Sequence, residues 1–271
     1  MSAARLGLAC AAGLAMLATG IGAALGETKN DPWPDIAQNA FNGRELADGA
    51  GLIAIEMPYR AEDAAVVPVT VRATLPAGDR RRVKAFTIVI DENPAPVAAT
   101  FTLGPNSGVS SISTRVRVDS YTNVHAVAEL SDGKLYVVAT YVKASGGCSA
   151  PTAKNADDNV ASLGQMRMRQ FMDQAGGREM QEAQVMIRHP NNSGLQMDQV
   201  TRLYAPAFFV HQLEIWQGDD LILSMDGGIS ISQDPNIRFT YTPNGAKSLR
   251  AQATDTDNNQ FKADWPVQAA M

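Results

Sequence analysis

Thiols and imidazoles are scarce in this chain: its 271 residues contain two cysteines and three histidines. His125, His189 and His211 have no second His or Cys at the spacing zinc sites use, so a structural role is expected for each and no metal or cofactor is expected. No nucleophile elbow, Walker loop or dinucleotide fingerprint is present, so the chain does not read as an enzyme on its own. Cations are also in deficit, 23 Lys and Arg against 28 Asp and Glu. That balance excludes the basic surface nucleic-acid binding needs.

What is present begins with a leader. Arg5 is the only charge before Glu27, and Leu6 to Leu25 is an apolar run ending in small residues at Ala24 and Gly26. This fits a signal peptide over 1–26, and so export to the periplasm with no membrane attachment after cleavage, although the run is also long enough for an uncleaved membrane anchor. Cys10 lies early in the run and leaves with it. Cleavage after Gly26 would leave 245 of the 271 residues and, without Arg5, 22 basic against 28 acidic ones, a net charge of −6. One cysteine would remain, Cys148. An odd cysteine in an exported chain points to intermolecular pairing or to a reactive thiol.

The hydrophobic pattern after the leader is mostly of period two. A short helix is expected first, where Pro34 suits an opening turn, Ile36, Ala37, Ala40 and Phe41 keep helical spacing, and Gly43 ends it. Strands follow at 52–57, 67–73, 84–90, 97–103, 111–118, 122–130 and 135–143, separated by Gly, Pro, Asn and Asp clusters. From Ser145 to Asn159 the periodicity is lost. Alternation resumes at 183–189, 208–216, 220–225, 237–242, 248–254 and 261–267. The fold class expected is all-β: two immunoglobulin-like β-sandwich domains in tandem, with a short N-terminal helix after the signal peptide. The domains are placed at 27–144 and 166–271, with a flexible arm and linker at 145–165.

Cys148 sits on that arm, in "VKASGGCSAP". Gly146 and Gly147 make the approach to it thin and conformationally free, as a hinge would be. No Arg or His lies within four residues, so nothing local activates the thiol. Its surroundings are neither strand-like nor strongly apolar, which argues for an exposed thiol. Other candidates are weaker. Arg115 and Arg117 form a small basic strip that can attract an anion or an acidic partner, though a solvated strand face is the plainer account. His125 alternates away from Val124, Ala126 and Ala128, so it is expected at the surface or at a domain contact. Met166, Met168, Met172, Met180 and Met186 invite copper(I), with adaptable packing the commoner use of such a cluster. Asp255, Asp257 and Asn259 have EF-hand spacing, but Gln260 and Pro266 replace the glycine and glutamate that motif requires, leaving a hairpin turn.

With these residues in hand, a family resemblance is apparent. Through "VPVTV", "IDENPAPVAATFTL", "STRVRVDSYTNVHAVAELSDGKLY" and "VKASGGC", the first domain resembles SoxY, the sulfur-carrying subunit of periplasmic thiosulfate oxidation. Through "VMIRHPNNSGLQMD", "LYAPAFFVHQLEI" and "GGISISQDPNIRFTY", the second resembles its partner subunit, SoxZ. The whole is similar to the fused SoxYZ-like carriers found beside quinoprotein alcohol dehydrogenases. The resemblance implies immunoglobulin-like domains packed side by side within one chain, and covalent carriage of substrate on Cys148, with Gly146 and Gly147 matching the glycines before it. It implies thiosulfate coupled oxidatively to the thiol as Cys–S–S–SO3⁻, then processed by sulfur-oxidising partner enzymes. Ser149, Ala150 and Pro151 depart from the closing glycines of that motif, and the cysteine is internal rather than terminal.

Three functions therefore stand. Foremost is a periplasmic covalent carrier of sulfur intermediates. The second is a non-covalent accessory module for a periplasmic quinoprotein alcohol dehydrogenase, in which the thiol is dispensable. The third is a homodimer linked through Cys148.

Overall fold

Alternation becomes burial strand by strand. In β3 (Val67–Ala73), Val67, Val69 and Val71 face inward while Pro68 and Arg72 are exposed. β14 (Ser248–Asp255) does the same with Leu249, Ala251 and Ala253. Successive side chains on a pleated strand point to opposite faces, so a period-two sequence buries one face. The structure is a computed structural model that describes residues 31–151, 162–171, 180–198 and 201–268; the leader, including Cys10, and Lys154 and Met172 lie outside the described residues.

The described elements are α1 (Trp33–Ala40), β1 (Leu46–Asp48), β2 (Ile53–Glu56), β3, β4 (Val83–Ile90), β5 (Val97–Leu103), β6 (Ser111–Val116), β7 (Thr122–Leu130) and β8 (Leu135–Val142) in the first half. The second half supplies β9 (Met166–Phe171), β10 (Gln181–Ile187), β11 (Val210–Gln217), β12 (Asp220–Gly227), β13 (Asn236–Tyr241), β14 and β15 (Gln260–Pro266). They form two sheets. One has nine strands in the order β1-β8-β7-β4-β5-β12-β11-β14-β15, the other six in the order β2-β3-β6-β13-β10-β9. Each half is thus a two-layer sandwich, and the halves share both sheets.

The junctions are antiparallel pairings of strands far apart in sequence. Phe101 on β5 pairs with Met225 on β12, and Ile112 on β6 with Phe239 on β13. Pairing at these positions removes two exposed sheet edges from each half. It also makes one apolar core: Phe86, Phe101 and Ile112 belong to the same buried cluster as Leu213, Ile215 and Phe239.

α1 lies on the outer face of the nine-stranded sheet. There Trp33, Ile36, Ala40 and Phe41 pack on Val89, Val127 and Leu135 as a second small cluster. Pro34 sits in its opening turn, and Gly43, at φ +70°, closes its end by donating to the Gln38 carbonyl at 2.9 Å. β1 and β9 are strands that periodicity did not announce. β1 has three residues and pairs in parallel with β8, the one parallel pairing among the described strands.

Candidate functional site

The segment around Cys148 is docked across the seam between the halves. Its base is fixed at Lys143, which donates to the Tyr59 carbonyl at 2.8 Å and accepts from the Ala61 amide at 3.1 Å. Beyond it, the Gly146 amide donates to the Asp119 carbonyl (2.8 Å), the Gly147 amide to the Val118 carbonyl (3.0 Å), and the Cys148 amide to Asp119 Oδ1 (3.3 Å). The second half closes over it. Ser193 Oγ donates to the Cys148 carbonyl, and the loop carrying Ser193 also presents the Asn191 carbonyl to Arg117 Nη2 at 3.3 Å. Arg117 Nη1 in turn donates to the Gly147 carbonyl at 3.1 Å.

This corrects the expectation of an exposed thiol on a flexible loop: Cys148 is 0% exposed and Ala144 is buried in the main core. The physical reason is that a Gly- and Ser-rich segment offers little apolar area but a full set of backbone donors and acceptors, which residues 117–119 and 191–193 satisfy. Cys148 belongs to neither apolar cluster. Its backbone is hydrogen-bonded from both halves, to Asp119 and from Ser193.

The two glycines have separate steric roles in the docked arm. Gly146 adopts φ +76°, a left-handed conformation costly to other residues. At Gly147 a Cβ would lie 2.1 Å from the Ala64 carbonyl oxygen and 2.6 Å from that of Val118. Only a glycine lets the arm lie this close to the body.

Burial pushes the Cys148 thiol up to about 12, with the Asp119 carboxylate adding to the rise and the Arg117 guanidinium opposing it. Docked, the sulfur is a neutral, inaccessible thiol, whereas the nucleophile is the thiolate. The Arg117 cation is itself disfavoured by burial. It is 1% exposed, and among the described residues it forms no ion pair and its Nε has no acceptor. The solvated strand face expected for Arg115 and Arg117 is therefore corrected for Arg117, which lies past the end of β6 beneath the arm and the 189–193 loop.

The remaining candidates are structural. His125 is buried rather than superficial: α1 covers it, its ring stacks on Trp33 at 3.6 Å, and Nδ1 meets Asp91 Oδ1 at 3.0 Å. His189 is buried with Asp255. Its Nδ1 accepts from the Asn191 amide at 3.1 Å, so Nε2 carries the proton toward Asp255 Oδ2, 3.4 Å away. Burial lowers its pKa and keeps it neutral. That pair anchors the loop from which Ser193 reaches the arm and Asn191 reaches Arg117. His211 is half-buried on β11. Asp255 caps its turn, accepting from the Asp257 and Asn259 amides, as a hairpin rather than an ion site. Met166 and Met168 pack against the core, whereas Met186 pairs with exposed Arg167 and so faces the opposite side. All three nevertheless border one open surface hollow with Arg167, Arg169 and Trp265. Among the described residues no group of three His, Cys, Asp or Glu could hold a metal, and no helix is long and apolar enough to cross a membrane.

Sequence reasoning missed Asp119, Asn191 and Ser193. Each sits in an ordinary turn, "VDSYTN" or "HPNNSG", and no local pattern marks a side chain that will hold a segment tens of residues away.

Comparison with known proteins finds two families along the chain. The family described as sulfur oxidation protein SoxY matches residues 37–148, and that described as sulphur oxidation protein SoxZ matches 168–266. No curated protein matches. Among solved structures, the sulfur carrier protein SoxY from Chlorobium limicola f thiosulfatophilum is 27% identical, with a TM-score of 0.35, over 42% of this chain and 91% of that one. A superoxide reductase (neelaredoxin) from Ignicoccus hospitalis is 12% identical, with a TM-score of 0.31, over 35% of this chain and 82% of its own. The two family matches lie in tandem and together span most of the chain. The chain belongs to the SoxY and SoxZ sulfur-oxidation families, as a fused SoxYZ-like protein.

Proposed function

We propose that this protein is an exported, periplasmic carrier of sulfur intermediates, with Cys148 as the covalent attachment point and Gly146 and Gly147 as the hinge of its arm. The observation that carries the proposal is that the SoxY match ends on Cys148, a cysteine whose backbone is held across the seam by hydrogen bonds that can open. The SoxY neighbour, a sulfur carrier by its description, is in keeping with that role.

In loading, the thiol couples to thiosulfate: Cys–SH and S2O3²⁻ give Cys–S–S–SO3⁻, a proton and two electrons, which a redox centre on a partner enzyme accepts. Hydrolysis then releases sulfate: Cys–S–S–SO3⁻ and water give Cys–S–S⁻, SO4²⁻ and two protons. This chain contributes the sulfur and its delivery. Redox and hydrolytic chemistry belong to the sulfur-oxidising partners, so the protein is not an enzyme on its own. Because docked Cys148 is buried and protonated, either step requires the arm to leave the seam. At about 3.5 Å per extended residue, Lys143 to Cys148 can reach roughly 17 Å.

Replacing Cys148 with Ser tests this. Cells carrying the variant should make normal amounts of folded protein and lose thiosulfate-dependent oxidation. Unchanged oxidation would refute carriage.

One observation favours a second function. A thiol sealed this completely suits an accessory module for a quinoprotein dehydrogenase, in which the arm serves as structure. Copurification with such a dehydrogenase that survives Cys148→Ser, with no loss of sulfur oxidation, would select it.

A further inference from the structure

Arg117 is the largest fully buried side chain described, and it is charged. Its polar contacts are two backbone carbonyls, one from the arm (Gly147) and one from the second half (Asn191). Among the described residues no carboxylate lies at ion-pair distance from it, although Asp63 attracts it from farther off, and its Nε is buried without an acceptor. A buried cation that lacks an anion costs several kcal/mol in water-excluded surroundings. Carbonyl dipoles offset only part of that cost. Its two hydrogen bonds give it a structural part in the clasp, but they engage neutral carbonyls and leave the charge itself without a contacting anion.

The neighbour that can change charge is the arm. As a bare thiol the docked arm brings no charge, so Arg117 keeps only the longer-range attraction of Asp63. Loaded with a group that ends in an anion, the same arm would bring one. The guanidinium has a free donor and a planar fork suited to oxyanions.

Resting on the carrier function proposed above, we propose that Arg117 is an anion subsite for the cargo: it receives the negative end of a sulfonate-terminated or persulfide group on Cys148 when the loaded arm returns toward the seam. Arg117 thereby ranks loaded arms by charge. Anionic adducts are held and shielded. Neutral ones are held less well, and cationic ones are expelled. Any adduct is bulkier than the thiol and must shift the Ser193 and Asn191 side of the clasp; the ion pair with Arg117 offsets that displacement for anions alone.

The test uses synthetic adducts and needs no knowledge of the natural cargo. The full chain is prepared with Cys10→Ser, so that Cys148 is the one thiol whether or not the leader is removed. Three methanethiosulfonates, carrying sulfonatoethyl, methyl and trimethylammonioethyl groups, each convert Cys148 to a mixed disulfide and release methanesulfinate. The rate at which uncharged dithiothreitol removes each group is then measured, relative to the same adduct in protein unfolded by urea.

Protection is expected to rank sulfonatoethyl above methyl above trimethylammonioethyl, with about tenfold between the extremes, the scale of one charge-assisted hydrogen bond. Arg117→Met should abolish the ranking, and Arg117→Lys should keep its order. Equal protection of all three adducts in the wild-type arm would overturn the proposal, and that comparison needs no variant to fold. A ranking that survives Arg117→Met would overturn it as well. If instead the ranking appears while the native protein never bears an adduct, carriage fails and the anion subsite stands, so the two ideas part.

Discussion

Gly146 and Gly147 are adjacent and resist substitution for different reasons. Gly146 has open space around its Cα, the nearest atom to an added Cβ being Ser149 Oγ at 3.9 Å, so alanine there would carry only the left-handed conformational cost of roughly 1–2 kcal/mol. Gly147 has no such space, because two carbonyl oxygens lie where its Cβ would go. Gly147→Ala is therefore expected to hold the arm out of the seam while the sandwiches stay folded. Alkylation of Cys148 by iodoacetamide at neutral pH should accelerate several-fold in Gly146→Ala and by at least about tenfold more in Gly147→Ala. Equal, slow alkylation in both variants would mean that the arm does not dock as described. "SGGC" is legible as conformational freedom, but the sequence does not tell freedom to swing from freedom to lie close. That distinction rests on Ala64 and Val118, far upstream and anonymous in their own segments.

Docking of the arm is linked to the Cys148 proton. Docked, Cys148 holds its proton to about 12, by burial and by the Asp119 carboxylate, against the pull of Arg117; undocked, it has an ordinary thiol pKa near 9. Below that ordinary value both states are protonated and docking is fully favourable. Between pH 9 and about 12 only the undocked arm loses its proton, so docking weakens by about 1.4 kcal/mol per pH unit. The alkylation rate of Cys148 should therefore keep rising beyond pH 9, where a free thiol levels off. A profile that flattens at the free-thiol value would show the arm to be undocked in solution. Most strands were legible from alternation, as in "VPVTVRA". β1 was too short to show a period, and "MRMRQF" of β9 drew notice as methionines rather than as a strand. The clasp was hidden for a different reason: Asn191 and Ser193 act through single hydrogen bonds, which leave no periodic trace.

The two sandwiches form one body because β5 pairs with β12 and β6 with β13, placing both halves around one core. Parting them would expose four strand edges and much of that core, so they should behave as one cooperative unit. If a protease site is inserted between Pro151 and Ser162 and cut, the fragments are expected to co-elute and to melt in one transition. Separate elution, or two transitions, would contradict shared sheets. The tandem order of two sandwiches was readable from where alternation stops and resumes, but their edge-to-edge merger was not, since no local feature of "VAATFTL" names "DLILSMDG" as its neighbour. The merger bears on function, because the arm lies across the seam and is held from both sides. A carrier built this way shields its sulfur when idle and must open to load. The most direct measurement is the intact mass of the protein isolated from its native periplasm, before and after reductant. The carrier account predicts a reducible adduct of sulfane sulfur or thiosulfonate that maps to Cys148, whereas a bare mass under conditions that sustain thiosulfate oxidation would contradict it.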